Sequence, residues 1–237
     1  MERIGAESID VVILCGGLGK RLQSVVEDRP KPMAEIGNRP FLDILIDYLT
    51  DAGFRRCILC TGYMGDLIKQ HYQNKKGFLQ IIFSEERSPL GTAGAIKNAE
   101  RFIGTSPFLV VNGDSYCEVD LKGFLGFHLE MKALASIVLA SIEDAGDYGN
   151  VTLGKQHRIV GFVEKAGCRK DTFISAGIYL FQKDILSLIP AEQNYSLEKE
   201  FFPAIVNKEF YGYLCDKALI DIGTPQRYRK AYKLLGV

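Results

Sequence analysis

Three cations around a glycine-rich turn are the first residues of this 237-residue chain that suggest chemistry. The run Val11-Val12-Ile13-Leu14-Cys15-Gly16-Gly17-Leu18-Gly19-Lys20-Arg21-Leu22 is followed, after a short polar stretch, by Pro30-Lys31-Pro32-Met33. Three β-branched residues and a leucine predict a short buried strand from Val11 to Leu14. Gly16, Gly17 and Gly19 let the backbone turn sharply and approach a ligand closely. The prolines on either side of Lys31 fix its local backbone. Successive backbone N–H groups in such a turn can cradle phosphate oxygens. A strand end, a glycine loop and fixed cations suit a polyphosphate, and the expectation is a nucleoside triphosphate.

Two familiar phosphate motifs are absent. Walker A requires a glycine where Leu14 stands and a serine or threonine where Arg21 stands. The dinucleotide fingerprint fails because Leu22 occupies the place of its third glycine. A dehydrogenase is therefore disfavoured. Arg21 and Lys31 set this loop apart from an ordinary turn, which needs neither.

The elements that would carry these residues alternate. Helical spacing runs through Phe41, Ile44, Leu45, Tyr48 and Leu49 and stops at Gly53. Phe54 to Cys60 reads as a strand, Met64 to Tyr72 as a helix and Leu79 to Phe83 as a strand. A helix opens at Leu90 and runs to about Ile103, followed by a strand over Phe108–Val111, a helix over Leu121–Met131 and a strand over Ala135–Ala140. That order predicts an α/β fold, a Rossmann-like, doubly wound, mostly parallel sheet. Val151–Leu153, Arg158–Val163 and Phe173–Phe181 read instead as a small antiparallel subregion. Ser196 is placed to cap a helix running to Phe202. Strands over Glu209–Cys215 and Ala218–Ile222 follow, and Thr224-Pro225 opens a last helix over Gln226–Leu235. No repeat, low-complexity tract or linker interrupts the chain, so a single domain over 1–237 is expected. Its halves would be a nucleotide-binding part, about 10–140, and a second part, about 141–222, with residues 224–235 as a C-terminal helix.

Composition sets outer bounds. The chain is 47% hydrophobic and 24% charged with zero formal net charge, so bulk electrostatics suggests neither nucleic acid nor an anionic membrane as partner. No apolar run is long enough to span a bilayer and the first ten residues resemble no signal peptide. Six cysteines fall at 15, 57, 60, 117, 168 and 215. Cys57 and Cys60 have CxxC spacing, but they lie in the expected strand with no second pair to complete a zinc site, which favours buried thiols. Free thiols without an export signal point to the cytoplasm.

The composite Leu14-x-Gly16-Gly17-x-Gly19-x-Arg21-Leu22 followed by Pro30-Lys31-Pro32-Met33 resembles the signature of the sugar-1-phosphate nucleotidyltransferases. Four later segments agree in order: Leu90-Gly91-Thr92-Ala93-Gly94-Ala95, Asn112-Gly113-Asp114, Val163-Glu164-Lys165 and Asp221-Ile222-Gly223-Thr224-Pro225. The resemblance extends from about Asp10 to the last helix. The short form is most similar to the D-glycero-α-D-manno-heptose 1-phosphate guanylyltransferases, with uridylyltransferases and mannose-1-phosphate guanylyltransferases as rivals. A catalytically silent nucleotide-sensing homologue is an alternative of another class.

The resemblance implies the nucleotide-diphospho-sugar transferase type of sheet, with the antiparallel subregion holding a sugar. It implies Arg21 on the departing pyrophosphate and Lys31 on the α-phosphate as catalytic residues. Leu14, Gly16, Gly17, Gly19, Glu86, Gly91, Thr92 and Asn112 would bind the nucleotide. Tyr148, Gly149, Glu164, Lys165, Gly177 and Glu198 would bind the sugar phosphate, although Glu198 reads equally well as a helix-start acid. Asp114 and Asp221, both at strand ends, would hold Mg²⁺, which needs one or two protein carboxylates besides phosphate oxygens and water. Taken singly, each is also an ordinary turn or cap residue. A carboxylate at Glu86 suits guanine, whose N1–H and 2-amino group are adjacent donors, better than uracil with its single N3–H; the expected partners are GTP and a sugar 1-phosphate. Glu85 is adjacent and competes for that role. Lys20 reads as a solvated loop charge, and His71, His128 and His157 have no metal-site spacing. The oligomeric state stays open, a homo-oligomer included.

Overall fold

The computed structural model describes residues 4–73, 79–141, 149–164 and 173–235. Its thirteen strands are β1 (Asp10–Leu14), β2 (Glu35–Ile36), β3 (Arg39–Pro40), β4 (Arg56–Thr61), β5 (Gln80–Glu85), β6 (Phe108–Asn112), β7 (Ser115–Tyr116), β8 (Ala135–Ala140), β9 (Gly149–Leu153), β10 (Ile159–Glu164), β11 (Phe173–Phe181), β12 (Phe210–Cys215) and β13 (Ile220–Asp221). The helices are α1 (Phe41–Asp51), α2 (Gly65–Tyr72), α3 (Gly91–Asn98), α4 (Leu121–Glu130), α5 (Phe202–Ile205) and α6 (Pro225–Leu235).

The order β5-β4-β1-β6 is parallel throughout, as the alternating first half requires. Beyond β6 the sheet continues through antiparallel β11 to β8, and β12 joins β8 in parallel. The hairpin of β9 and β10 pairs with β11 at Phe173 and Ile174, is bridged to β12 between Arg158 and Tyr211, and packs Phe162 against Phe202 of α5. The strands are apolar on both faces because both faces are covered. Val11 and Ile13 of β1 pack into one core with Leu42, Leu45 and Leu49 of α1 and Phe124 of α4. Val12 points the other way, with Ala93 and Ile96 of α3 and Phe202 of α5. A period of two along each strand thus feeds two cores, the signature of a doubly wound sheet. Cys57 and Cys60 of β4 are buried on opposite faces, which is why their CxxC spacing builds no shared site.

Some element bounds differ from those read off the sequence. The helix expected to reach Ile103 stops at Asn98 and resumes as a 3₁₀ turn over Glu100–Phe102. Ser196 does cap its segment, its hydroxyl accepting from the amides of Glu198 and Lys199, but the first turn is a π turn over Leu197–Phe201. The strand expected over Ala218–Ile222 shrinks to Ile220–Asp221 because its partner β7 is two residues long. The strand over Phe173–Phe181, expected in the small antiparallel subregion, runs instead within the main sheet between β6 and β8, because most of its length pairs with those two strands.

One buried polar network has a determinable proton. His128 of α4 is fully buried, with Nδ1 2.9 Å from Ser136 Oγ and Nε2 3.1 Å from the Gln182 amide nitrogen. The Lys183 amide donates to Ser106 Oγ, whose hydroxyl donates to Gln182 Oε1. With the Gln182 amide in that orientation its nitrogen donates to Nε2, which goes with the imidazole proton on Nδ1 beside Ser136. Burial pushes the His128 pKa down to about 4, so this side chain is neutral in the fold while an unfolded histidine titrates near 6.5. Below pH 6.5 the unfolded chain binds a proton that the folded chain refuses, and stability falls until the pH reaches the folded value. Thermal unfolding followed from pH 7 to pH 4 should show the wild type losing on the order of 3 kcal/mol more than His128→Gln; parallel curves would remove His128 as the cause.

Candidate active site

A cavity of about 420 Å³ opens at the carboxyl ends of β1 and β6, where parallel α/β sheets place ligands. At one end, the chain leaving β1 runs close beneath Glu86. The Cys15 amide donates to Cys60 O at 2.8 Å, and a Cβ placed on Gly16 would lie 2.6 Å from Glu86 Oε1 and 3.3 Å from the Gly62 amide. Only a glycine allows that approach. The Leu90 amide donates to Glu86 Oε2 at 3.2 Å. Burial pushes the Glu86 carboxyl above its usual range, and the Leu90 hydrogen bond offsets this only in part. Glu85 ends β5 and its side chain pairs outward with Lys69 at 2.6 Å, so Glu86 is the acid that faces the cavity.

Gly91 opens α3 with φ +70°, and a Cβ there would sit 2.7 Å from Tyr195 O. The same carbonyl accepts from the amides of Ala93 and Gly94, and the Tyr195 amide donates to Leu90 O. Thr92 lines the cavity, yet its hydroxyl donates to Glu198 Oε2 at 3.1 Å and accepts from the Leu197 amide at 2.7 Å. Ser196 Oγ also reaches Glu198 Oε2. Glu198 thus clasps its own segment to α3.

The phosphate-type cations gather at the other end. Lys31 begins a 3₁₀ turn, Lys31–Met33, and its ammonium pairs with Asp114 Oδ2. Gly19 packs its α-carbon against the Lys31 side chain, seating the glycine loop on that pair. For Asp114, burial raises the carboxyl, but the charge and hydrogen bond of Lys31, helped by Ser115, outweigh it and hold the group below the usual carboxylate range. β13 pairs Asp221 with Ser115, and the Ile222 amide donates to Asp114 O at 3.1 Å, which brings the backbone at the two aspartates together. Asp221 Oδ1 accepts from the Gly223 amide at 2.8 Å and lies 3.5 Å from Arg227 Nη1. The space a Cβ on Gly223 would take lies 2.8 Å from Asp221 Oδ1, 3.5 Å from Lys31 Nζ and 3.8 Å from Arg21 Nη2. Arg21, Lys31, Asp114 and Asp221 therefore meet around one point. Among the described residues no three His, Cys, Asp or Glu side chains cluster as for zinc. Two adjacent carboxylates fit Mg²⁺, whose remaining ligands are phosphate oxygens and water.

Between the two ends stands Asn112, paired with Leu14 across β6 and β1. Its Oδ1 is buried without a hydrogen-bond partner among the described residues, and Gly177, in the irregular stretch of β11, packs against its side chain. Gly149 begins β9 and Glu164 ends β10, opposite each other in register, which brings two of the expected sugar-side positions together. Tyr148 and Lys165 lie outside the described residues. Lys20 is exposed as expected, yet it borders the cavity mouth. Sequence reasoning missed Asn194 and Pro89, which also line the cavity and are joined by a 3.0 Å bond from the Asn194 amide to Pro89 O. Residues 105 positions apart in an irregular segment carry no periodic signal that would have found them.

Comparisons with known proteins agree with this geometry. Residues 10–236 match the family described as Nucleotidyl transferase. A D-glycero-alpha-D-manno-heptose 1-phosphate guanylyltransferase of Aneurinibacillus thermoaerophilus is 38% identical over 228 residues, covering 96% of this chain and 98% of that protein. One of the same name from Campylobacter jejuni is 34% identical over 221 residues, covering 93% and 97%. The crystal structure of HddC from Yersinia pseudotuberculosis complexed with GMP-PN superposes with a TM-score of 0.85 at 38% identity, covering 96% of this chain and 99% of that one. Motif, fold and cavity converge, and the chain belongs to the nucleotidyl transferase family.

Proposed function

We propose that this enzyme transfers GMP from GTP to D-glycero-α-D-manno-heptose 1-phosphate, releasing pyrophosphate and forming the GDP-sugar in the cytoplasm. The observation that carries this reading is the polarity of the cavity: an acceptor carboxylate, Glu86, at one end and the cluster of Arg21, Lys31, Asp114 and Asp221 at the other. The similarity to two heptose 1-phosphate guanylyltransferases along nearly their whole length supports the choice of acceptor.

A sugar phosphate oxygen attacks the α-phosphorus in line and the pyrophosphate leaves, so the protein's work is positioning and charge neutralisation. Amides of Gly16 to Gly19 cradle the triphosphate. Arg21 holds the departing pyrophosphate, and Lys31 turns from Asp114 toward the α-phosphate. Asp114 and Asp221 would hold Mg²⁺, which supplies charge neutralisation at the triphosphate when bound. Glu86 accepts from guanine N1–H and the 2-amino group; uracil would set two carbonyl oxygens beside the same carboxylate. Asn112 Oδ1 offers an acceptor to a ribose or sugar hydroxyl, and the acceptor sugar is assigned to the positions of Gly149, Glu164 and Gly177; Tyr148 and Lys165 keep the sugar roles that the resemblance implies.

Pyrophosphate release measured across four nucleoside triphosphates and several sugar 1-phosphates should peak at GTP with the heptose phosphate. Glu86→Gln should narrow the preference for GTP over UTP by roughly 10- to 100-fold in kcat/KM. A wild-type preference for UTP would overturn the base assignment, and a preference for mannose 1-phosphate the acceptor.

Asp114→Asn should lower kcat by about 10²- to 10³-fold and raise the Mg²⁺ concentration needed for half-maximal rate. Unchanged turnover and unchanged Mg²⁺ dependence would remove Asp114 from the metal site.

A further inference from the structure

Behind the two carboxylates lies a pair of thiols that the reaction does not use. Cys117 follows β7 by one residue and is buried; Cys215 ends β12 and is partly exposed. Their sulfurs lie 3.7 Å apart although 98 positions separate them in sequence. Both pack on the core face that holds Val119 and Tyr48, and the Tyr48 hydroxyl, donating to Val119 O and accepting from its amide, anchors the turn after Cys117. Each sulfur needs to move by less than an ångström to close to bonding distance, within reach of small changes in side-chain torsion. Other described cysteines are placed differently: Cys15, Cys57 and Cys60 are buried in β1 and β4 or just beyond.

We propose that Cys117 and Cys215 form a dithiol site that low-molecular-weight disulfides oxidise reversibly, and that the resulting bond braces the β7–β13 ladder carrying Asp114 and Asp221. Cys215 is the entry point because it is the accessible partner. Its thiolate attacks one sulfur of the oxidant, forming a mixed disulfide and releasing one small thiolate. Cys117, giving its proton to that thiolate, then attacks the Cys215 sulfur and expels the second small thiol. Two protein thiols and one small disulfide become one protein disulfide and two small thiols. Burial pushes the Cys117 thiol up to about 12, with the neighbouring Cys215 adding to the shift. Buried and weakly acidic, Cys117 is suited to resolve a mixed disulfide held beside it and unsuited to react first.

The bond would be felt at the carboxylates because the connections are short. Cys117 stands three residues after Asp114 and Cys215 six before Asp221, while Tyr116 pairs with Ile220 and Ser115 with Asp221 between them. A cross-link there closes a small ring that the hydrogen bonds of the ladder complete, and it fixes how β12 meets β7.

The full-length enzyme incubated with oxidised glutathione, alkylated and digested without reductant, should give a linked Cys117–Cys215 peptide. Its thermal midpoint should rise by several degrees, and dithiothreitol should reverse both changes. Neither change should occur in Cys215→Ser, with Cys117→Ser as an independent second variant. Full alkylation of both thiols, or linkage of either to Cys168, would overturn the site. A Cys117–Cys215 linkage that leaves the midpoint unmoved would overturn the bracing.

Discussion

Lys31 and Asp114, 83 positions apart, meet in an ion pair in which only 14% of the lysine side chain and 32% of the aspartate remain exposed. The rest of the site is arranged around that contact. Gly19 packs onto Lys31 from the glycine loop, and β13 pairs with β7 immediately after Asp114, bringing Asp221 to the same place. Partly withdrawn from water, the two charges neutralise each other, and removing either would leave its partner less well compensated. In the proposed reaction the same pairing prepares the site for a triphosphate. A phosphate anion can replace Asp114 beside Lys31, and a cation can replace Lys31 beside Asp114, so each incoming charge finds a partner already oriented. The turn of Lys31 away from Asp114 is the reorganisation that remains, and fixed charges contribute most where such movement is small.

Close backbone packing gives the nucleotide end a comparable rigidity. A methyl group on Gly91 would collide with the Tyr195 backbone, and one on Gly16 would have to push the Glu86 carboxylate aside. Glu86 therefore lies among three separate segments, the glycine loop, Gly62 and Leu90, and is bonded to the last. A half-buried carboxylate with a raised pKa binds an added donor pair more strongly than a solvated one does, because its lost hydration is regained from the ligand.

Residues 11–33 were legible in sequence because their chemistry is local: the turn, the cations and the fixing prolines all lie within one short stretch. The parallel core was legible for a similar reason, since each strand and helix writes its own period. What was not legible depends on partners far away. The strand over Ala218–Ile222 was read too long because its length is set by β7, about a hundred residues upstream. The Thr92–Glu198 bond gives Glu198 a structural task that no spacing within its own helix turn could show. The approach of Cys117 to Cys215 likewise follows from how β7 and β12 converge, and neither residue's neighbours in sequence announce it. Asn194 and Pro89 line the cavity by the same kind of distant closure.

The division of the sheet also bears on how such an enzyme can change its acceptor without losing its chemistry. The strands under the glycine loop, β5, β4, β1 and β6, are parallel and joined by crossovers, so a shift in one displaces helices in both cores. The hairpin of β9 and β10 is joined to β11 through two residues, Phe173 and Ile174. In the proposed reaction the invariant partner, the triphosphate, rests on the parallel part, and the sugar on the hairpin and the irregular stretch of β11 around Gly177. Among the described residues no backbone ladder joins the hairpin directly to β1 or β7, so substitutions away from Val151, Ile159 and Phe162, which share a core with Val12, leave Lys31 and Asp114 in place. Recognition of the sugar can therefore drift along this edge while the cation and carboxylate cluster stays in place.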